Sequence, residues 1–90
     1  MNERQYFVVL QTQISSDDEM QKYRAEHVKY LEKFANAGEV FAAGRFIDGS
    51  GGMIVLHVDS IEKAEQIASR DPYIIHNIRR YELKAWKRRF

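Results

Sequence analysis

Ninety residues hold one domain with a thin core, spanning residues 1–90, and oligomerisation is a common way to strengthen such a core. The formal charge of +1 gives no electrostatic pull toward nucleic acid or a membrane surface. There is no cysteine, which excludes disulfides, thiol catalysis and cysteine-based metal or iron–sulfur sites.

Tyr6-Phe7-Val8-Val9-Leu10 is a dense apolar run, rich in aromatic and β-branched residues, and predicts a strand. Ser15-Ser16-Asp17-Asp18 then supplies N-cap chemistry with acids in the first turn. From there to Ala37 the period is helical: Met20, Tyr23, His27, Leu31, Phe34 and Ala35 share one face. Gly38 is placed to end this helix. Val40 to Phe46 predicts a second strand, Asp48-Gly49-Ser50-Gly51-Gly52 a hairpin connection, and Met53 to Val58 a third strand. Asp59-Ser60 caps a second helix that turns Ile61, Ala64, Ile67 and Ala68 inward, and Asp71-Pro72 breaks it. A one-turn segment through His76 leads to a last strand over 78–87.

The order βαββαβ predicts an α+β, ferredoxin-like fold: a four-stranded antiparallel sheet with both helices on one face. The strands are apolar on both faces, since Tyr6, Val8 and Leu10 oppose Phe7 and Val9, and Met53 and Val55 oppose Ile54, Leu56 and Val58. Two helices cover one face, so the other is expected to pack sheet to sheet in a homodimer. No stretch has the apolar core of a signal peptide and none approaches membrane-spanning length, so the expectation is a cytoplasmic protein with no membrane partner.

His27 is the residue most suggestive of chemistry. It interrupts the apolar stripe one turn before Leu31, with Arg24 near the same face. Two readings stand: a hydrogen-bonded histidine at the core edge, or a proton-transfer group in a pocket between helix and sheet. A purely structural dimerisation module would have no need of imidazole there, where leucine packs better. Asp71 likewise has two readings. Before Pro72 it is a good N-cap, a role asparagine would fill equally well; it could also accept a hydrogen bond from His27 and fix its tautomer. Gly44, inside a strand, marks a bulge or a close approach by a ligand. The glycines lack phosphate-loop spacing, and the three histidines have no metal-site spacing. The basic end Lys84, Lys87, Arg88 and Arg89 has no base-stacking motif beside it, so no nucleic-acid partner is expected.

These segments together resemble the YciI-like (YCII-related) family. The resemblance runs through Tyr6-Phe7-Val8-Val9-Leu10, Arg24-Ala25-Glu26-His27-Val28-Lys29-Tyr30-Leu31, Gly38, and Ala42-Ala43-Gly44-Arg45-Phe46. It continues through Asp48-Gly49-Ser50-Gly51-Gly52, Ala64-Glu65, Asp71-Pro72-Tyr73 and Tyr81-Glu82-Leu83-Lys84-Ala85-Trp86. Each piece is weak alone; their order and spacing make the match specific. The resemblance implies a dimeric α/β-barrel of two ferredoxin-like subunits. It also implies an active site of a histidine and an aspartate, His27 and Asp71 here, with Arg24 and Gly44 lining the same pocket. Arg45 stands where many relatives carry proline or another uncharged residue. Family members with an assigned activity remove chloride from chlorinated hydroxyquinol-type aromatics, and structural cousins include muconolactone isomerases and monooxygenases that are cofactor-free or handle haem.

The expected function is thus a cofactor-independent enzyme for a small cyclic or aromatic molecule. His27 would act as acid or base, Asp71 would orient it, and Arg24 would hold an anionic oxygen. No metal and no cofactor are expected. The alternatives are a small-ligand-binding protein without turnover and, among enzymes, haem oxidation with His27, His57 or His76 on iron.

Overall fold

The structure is a computed structural model and describes residues 3–90. Its elements are β1 (Gln5–Gln13), α1 (Asp17–Asn36), β2 (Val40–Arg45), β3 (Gly51–Val58), α2 (Ile61–Ser69), α3 (Pro72–Ile75) and β4 (Arg79–Trp86). The strands form one antiparallel sheet in the order β2-β3-β1-β4, the ferredoxin-like arrangement expected from the sequence.

Local chemistry sets the helix starts. The Ser16 hydroxyl accepts from the Glu19 amide at 3.2 Å, with Asp17, Asp18 and Glu19 in the first turn of α1, where the helix dipole favours negative charge. Ser60 does the same for α2 through the Lys63 amide at 3.1 Å. Asp71 caps α3, whose first residue is Pro72.

Two boundaries depart from the sequence reading by more than one residue, and both matter for the site. Strand β1 runs three residues past Leu10, because Gln11, Thr12 and Gln13 find ladder partners in Tyr81, Arg80 and Arg79. Strand β3 begins at Gly51, so the two glycines expected in the hairpin connection belong to the strand. Their lack of a side chain is what permits the pairing. A Cβ on Gly51 would lie 1.8 Å from the Gln11 carbonyl oxygen, and one on Gly52 would lie 2.7 Å from the Gly44 carbonyl oxygen and 2.9 Å from an Arg79 nitrogen. A bulge falls between Val40 and Ala42, not at Gly44. In α2 the inward stripe is Ala64, Ile67 and Ala68; Ile61, expected inward, precedes that stripe at the first helical position and is 49 % exposed.

The main core lies between the sheet and the helices. Phe7 sits opposite Leu56 and Val9 opposite Ile54, and they pack with Val58, Ala64, Ile67 and Ala68 under Tyr30, Leu31 and Phe34. A second, smaller cluster joins Met20, Tyr73 and Ile78. The sheet's other face carries Tyr6, Val8, Leu10 and Val55, with Phe41, Met53 and Trp86 exposed. Tyr6 stacks on His57 there with ring centroids 4.3 Å apart. Among the described residues no helix is long and apolar enough to cross a membrane.

Candidate functional site

The alternation that sends Phe7 and Val9 inward from β1 sends Gln11 inward as well, and β4 brings Arg79 to the same face. Helix α1 lays Met20 and His27 across that end of the sheet, and the start of α3 adds Asp71 and Tyr73.

Asp71 is the centre of the site and is completely buried. Its Oδ1 accepts from His27 Nδ1 at 2.7 Å and from the Tyr73 amide at 3.0 Å, and its Oδ2 accepts from Gln11 Nε2 at 2.8 Å. Gln11 Oε1 in turn accepts from Arg79 Nη1 at 2.9 Å. A buried carboxylate thus meets three donors and is linked through one amide to a buried cation, which is how an interior tolerates both charges. The capping and histidine-orienting roles of Asp71 are simultaneous, and one oxygen serves both.

An ionised carboxylate only accepts, so His27 Nδ1 must carry the hydrogen in this bond. In the neutral ring that leaves Nε2 as the free acceptor. The imidazole stacks on Tyr73 with centroids 4.0 Å apart, and its side chain is 12 % exposed. The Arg79 guanidinium lies 4.7 Å from the centroid of the Tyr73 ring. Burial pushes the Tyr73 phenol up from its ordinary pKa, against the pull of Arg79 and Arg24, so it stays neutral. Burial also draws Arg79 down from its ordinary value, and the nearby positive charge of Arg45 adds to that, while Tyr73 and Asp71 oppose it. An arginine begins so high that it remains a cation.

His27 opens on a cleft of about 500 Å³ between α1 and the edge strand β2. The cleft is polarised along its length. Met20, Arg24, Arg45, Tyr73 and Arg79 line one end, where Arg45 pairs with Gly52 beside Arg79. Val28, Leu31, Ala35 and Val40 line the other, with Glu32 on its wall. His27 lies between the two on α1.

All four residues singled out from the sequence are placed here. His27 and Asp71 are bonded to each other, and Arg24 and Gly44 both line the cleft. Gly44 pairs with Met53, and a Cβ on it would meet nothing within 4 Å. Arg45 also faces the cleft and adds to its charge. His57 and His76 lie elsewhere, stacked on Tyr6 and Tyr23, and the described residues contain no cluster of potential metal ligands. Gln11, Tyr73 and Arg79 were not singled out from the sequence. Arg79 carried a signal, because it is a charged residue in the inward phase of a strand whose other inward residues, Tyr81, Leu83 and Ala85, are apolar or aromatic; Gln11 shares its phase with Gln5 and Gln13 as well as with Phe7 and Val9, so its type alone did not mark it. Tyr73 carried none beyond its place after Asp71-Pro72.

Comparison with known proteins bears on the family and the fold. The YCII-related domain matches residues 5–87. An uncharacterised protein of Bacillus subtilis (strain 168), YjpA, is 30 % identical over 67 residues, which cover 74 % of this chain and 79 % of YjpA. The solved structure of 5-chloro-2-hydroxyhydroquinone dehydrochlorinase (TftG) from Burkholderia phenoliruptrix AC1100, in complex with 2,5-dihydroxybenzoquinone, superposes with a TM-score of 0.79. It is 15 % identical and covers 91 % of this chain and 93 % of its own, a likeness of fold. The chain belongs to the YCII-related family.

Proposed function

We propose that this YCII-related protein is a cofactor-independent acid–base enzyme acting on a small cyclic or aromatic molecule, with the cytoplasm as its place of action. The observation that carries the reading is the 2.7 Å bond between His27 Nδ1 and the fully buried Asp71, on the wall of an open cleft. Asp71 holds the ring so that Nε2 presents its lone pair to the cleft, and it stabilises the imidazolium once Nε2 has taken a proton. The proton comes from a substrate carbon. The C–H electron pair forms a new C=C bond and expels a leaving group with its own bonding pair, which is elimination. In isomerisation the pair instead moves onto a conjugated oxygen, and the imidazolium returns the proton at another carbon. Arg24 faces the oxygen on which negative charge collects, and Gly44 contributes backbone to the β2 wall. The fold neighbour's action on a chlorinated hydroquinone supports an oxygenated ring as substrate.

The test is turnover in deuterated water. Chlorinated hydroxyquinols and unsaturated lactones are incubated with purified protein, and deuterium incorporation at carbon and halide release are followed. His27→Ala should slow the reaction by about 10²–10⁴-fold while the far-UV spectrum stays native. Wild-type protein that binds these compounds and neither exchanges nor releases anything is a binding protein, and the enzymatic reading fails.

A homodimer through the open sheet face completes the proposal. Tyr6, Val8, Leu10 and Met53, with the exposed Phe41 and Trp86, form an apolar surface that neither α1 nor α2 covers. Light scattering at micromolar concentration should report a dimer or a multiple of one, and a stable monomer overturns this part.

A further inference from the structure

Arg79 is an arginine with an unfinished set of hydrogen bonds. It is 6 % exposed and lines the cleft at its charged end. Its Nη1 is held by Gln11, but its Nε has no hydrogen-bond partner although it is buried. The acceptor recorded for Nη2 is the Met20 thioether at 3.8 Å, a weak one. Nε–H and the Nη2 N–H point from the same edge of a guanidinium, parallel and spaced to match the two oxygens of a carboxylate. The edge left without a strong acceptor is thus a bidentate one, and Gln11 on Nη1 competes for the other. Leaving buried donors of a charged group unmet is unfavourable, and native structures rarely do so without a reason. Gly52, which the Gly44 carbonyl already requires, also leaves room for this side chain, because a Cβ there would lie 2.9 Å from an Arg79 nitrogen.

The surrounding charges point the same way. Arg24, Arg45 and Arg79 face two carboxylates, Asp71 and Glu32, an excess of one positive charge before His27 is counted. Asp71 spends its oxygens on His27, Tyr73 and Gln11, and Glu32 lies toward the apolar half. Neither acid contacts the free edge of Arg79. Beyond His27 the cleft turns apolar at Val28, Leu31 and Val40.

We propose that the free Nε/Nη2 edge of Arg79 is the carboxylate anchor of the cleft, so that its ligand is a small monocarboxylate whose apolar ring or chain extends past His27 toward Leu31. Met20, a flexible side chain, occupies the carboxylate's place until the ligand displaces it. This rests on the cleft being the substrate site. It adds to that reading a substrate class and an orientation, in which a carbon near the carboxylate lies against His27 Nε2.

Benzoate is the probe, with benzamide as its uncharged equivalent, phenol as a ring with a single oxygen, and acetate as a head without the apolar body. Binding to the full chain is followed by NMR, including the Arg79 Nε–H resonance. Benzoate should bind about ten- to a hundredfold more tightly than the other three, from a bidentate charged contact added to apolar burial, and should shift the Arg79 Nε–H signal. Arg79→Met should reduce benzoate to the level of benzamide. Should that variant fail to fold, the wild-type Nε–H shift decides the matter alone. Equal binding of benzoate and benzamide, or an Nε–H signal unmoved by bound benzoate, overturns the proposal. His27→Ala should keep the preference for benzoate over benzamide, which Arg79 sets, whatever it does to turnover. Loss of turnover and loss of anchoring are therefore read separately.

Discussion

Phe7, Val9 and Gln11 follow one another on the same face of β1, and none is more than 2 % exposed, yet they enter two different interiors. Around Phe7 and Val9 the neighbours are Ile54, Leu56, Val58, Ala64, Ile67 and Ala68, and burial of apolar surface is enough to hold them. Around Gln11 the neighbours are Asp71, Arg79, His27 and Tyr73, and burial there is favourable only if donors meet acceptors. They do so almost everywhere, with Arg79 Nε the exception in the cleft. Replacing buried ionic groups with hydrophobes of similar volume is often neutral or stabilising, so a half-core of this kind is poorly explained by stability. It is better explained by the cleft it borders. One sheet face thus divides into a half packed with apolar side chains and a half that borders the cleft with hydrogen-bonded polar ones.

The division can be broken most forcefully from the apolar side. Leu56 is wholly buried, and Leu56→Ala should destabilise the protein by about 2–5 kcal/mol in urea unfolding, through lost transfer energy and the cavity left behind. If the halves are independent, the imidazole resonances of His27 in the folded variant should stay where they are. A large shift of those resonances would mean that the two interiors are one.

Asp71→Asn tests the polar side with a smaller effect. As a cap alone, asparagine would be a free exchange. The structure raises the cost, because one amide oxygen cannot replace two carboxylate oxygens receiving three donors. With its oxygen toward His27 and Tyr73, the new amide would point N–H groups at Gln11 Nε2. Gln11 could turn over only by breaking its bond to Arg79. The expected loss is about 1–3 kcal/mol by the same unfolding measurement, now with a large movement of the His27 signals. A variant as stable as wild type with unmoved signals would reduce Asp71 to a cap.

The smallest expected effect sharpens the border between the halves. Tyr30, packed on the apolar core, donates to the Ile67 carbonyl at 2.9 Å, and burial, aided by the negative charge of Asp71, pushes its phenol up to about 12. A pKa raised in the folded state gives a contribution that is complete below pH 10 and is lost as pH climbs toward 12. Urea midpoints should therefore fall over that window. Tyr30→Phe should flatten the fall without abolishing it, because burial and the Glu65 hydrogen bond raise Tyr81 to about 12 as well. An unchanged slope would place Tyr30 outside the reach of either interior.

The βαββαβ order, the three capped helix starts and the position of His27 on the inner stripe of α1 were legible in the sequence. Each depends on residues within one element: Ser16 on Glu19, Ser60 on Lys63, His27 on the period that also carries Leu31. The pairing of His27 with Asp71 was one of two open readings of an acid before proline, and packing made both true at once. The polar half of the core was decided by tertiary structure alone. Alternation aimed Gln11 and Arg79 inward, but the apolar run ended at Leu10, and a polar residue beyond it reads equally well as the start of a loop. Gln11 is buried because its partners come from 60 and 68 residues away along the chain. A polar side chain remains in an interior only when its hydrogen bonds are made there, and partners so distant in sequence meet only once the sheet has formed.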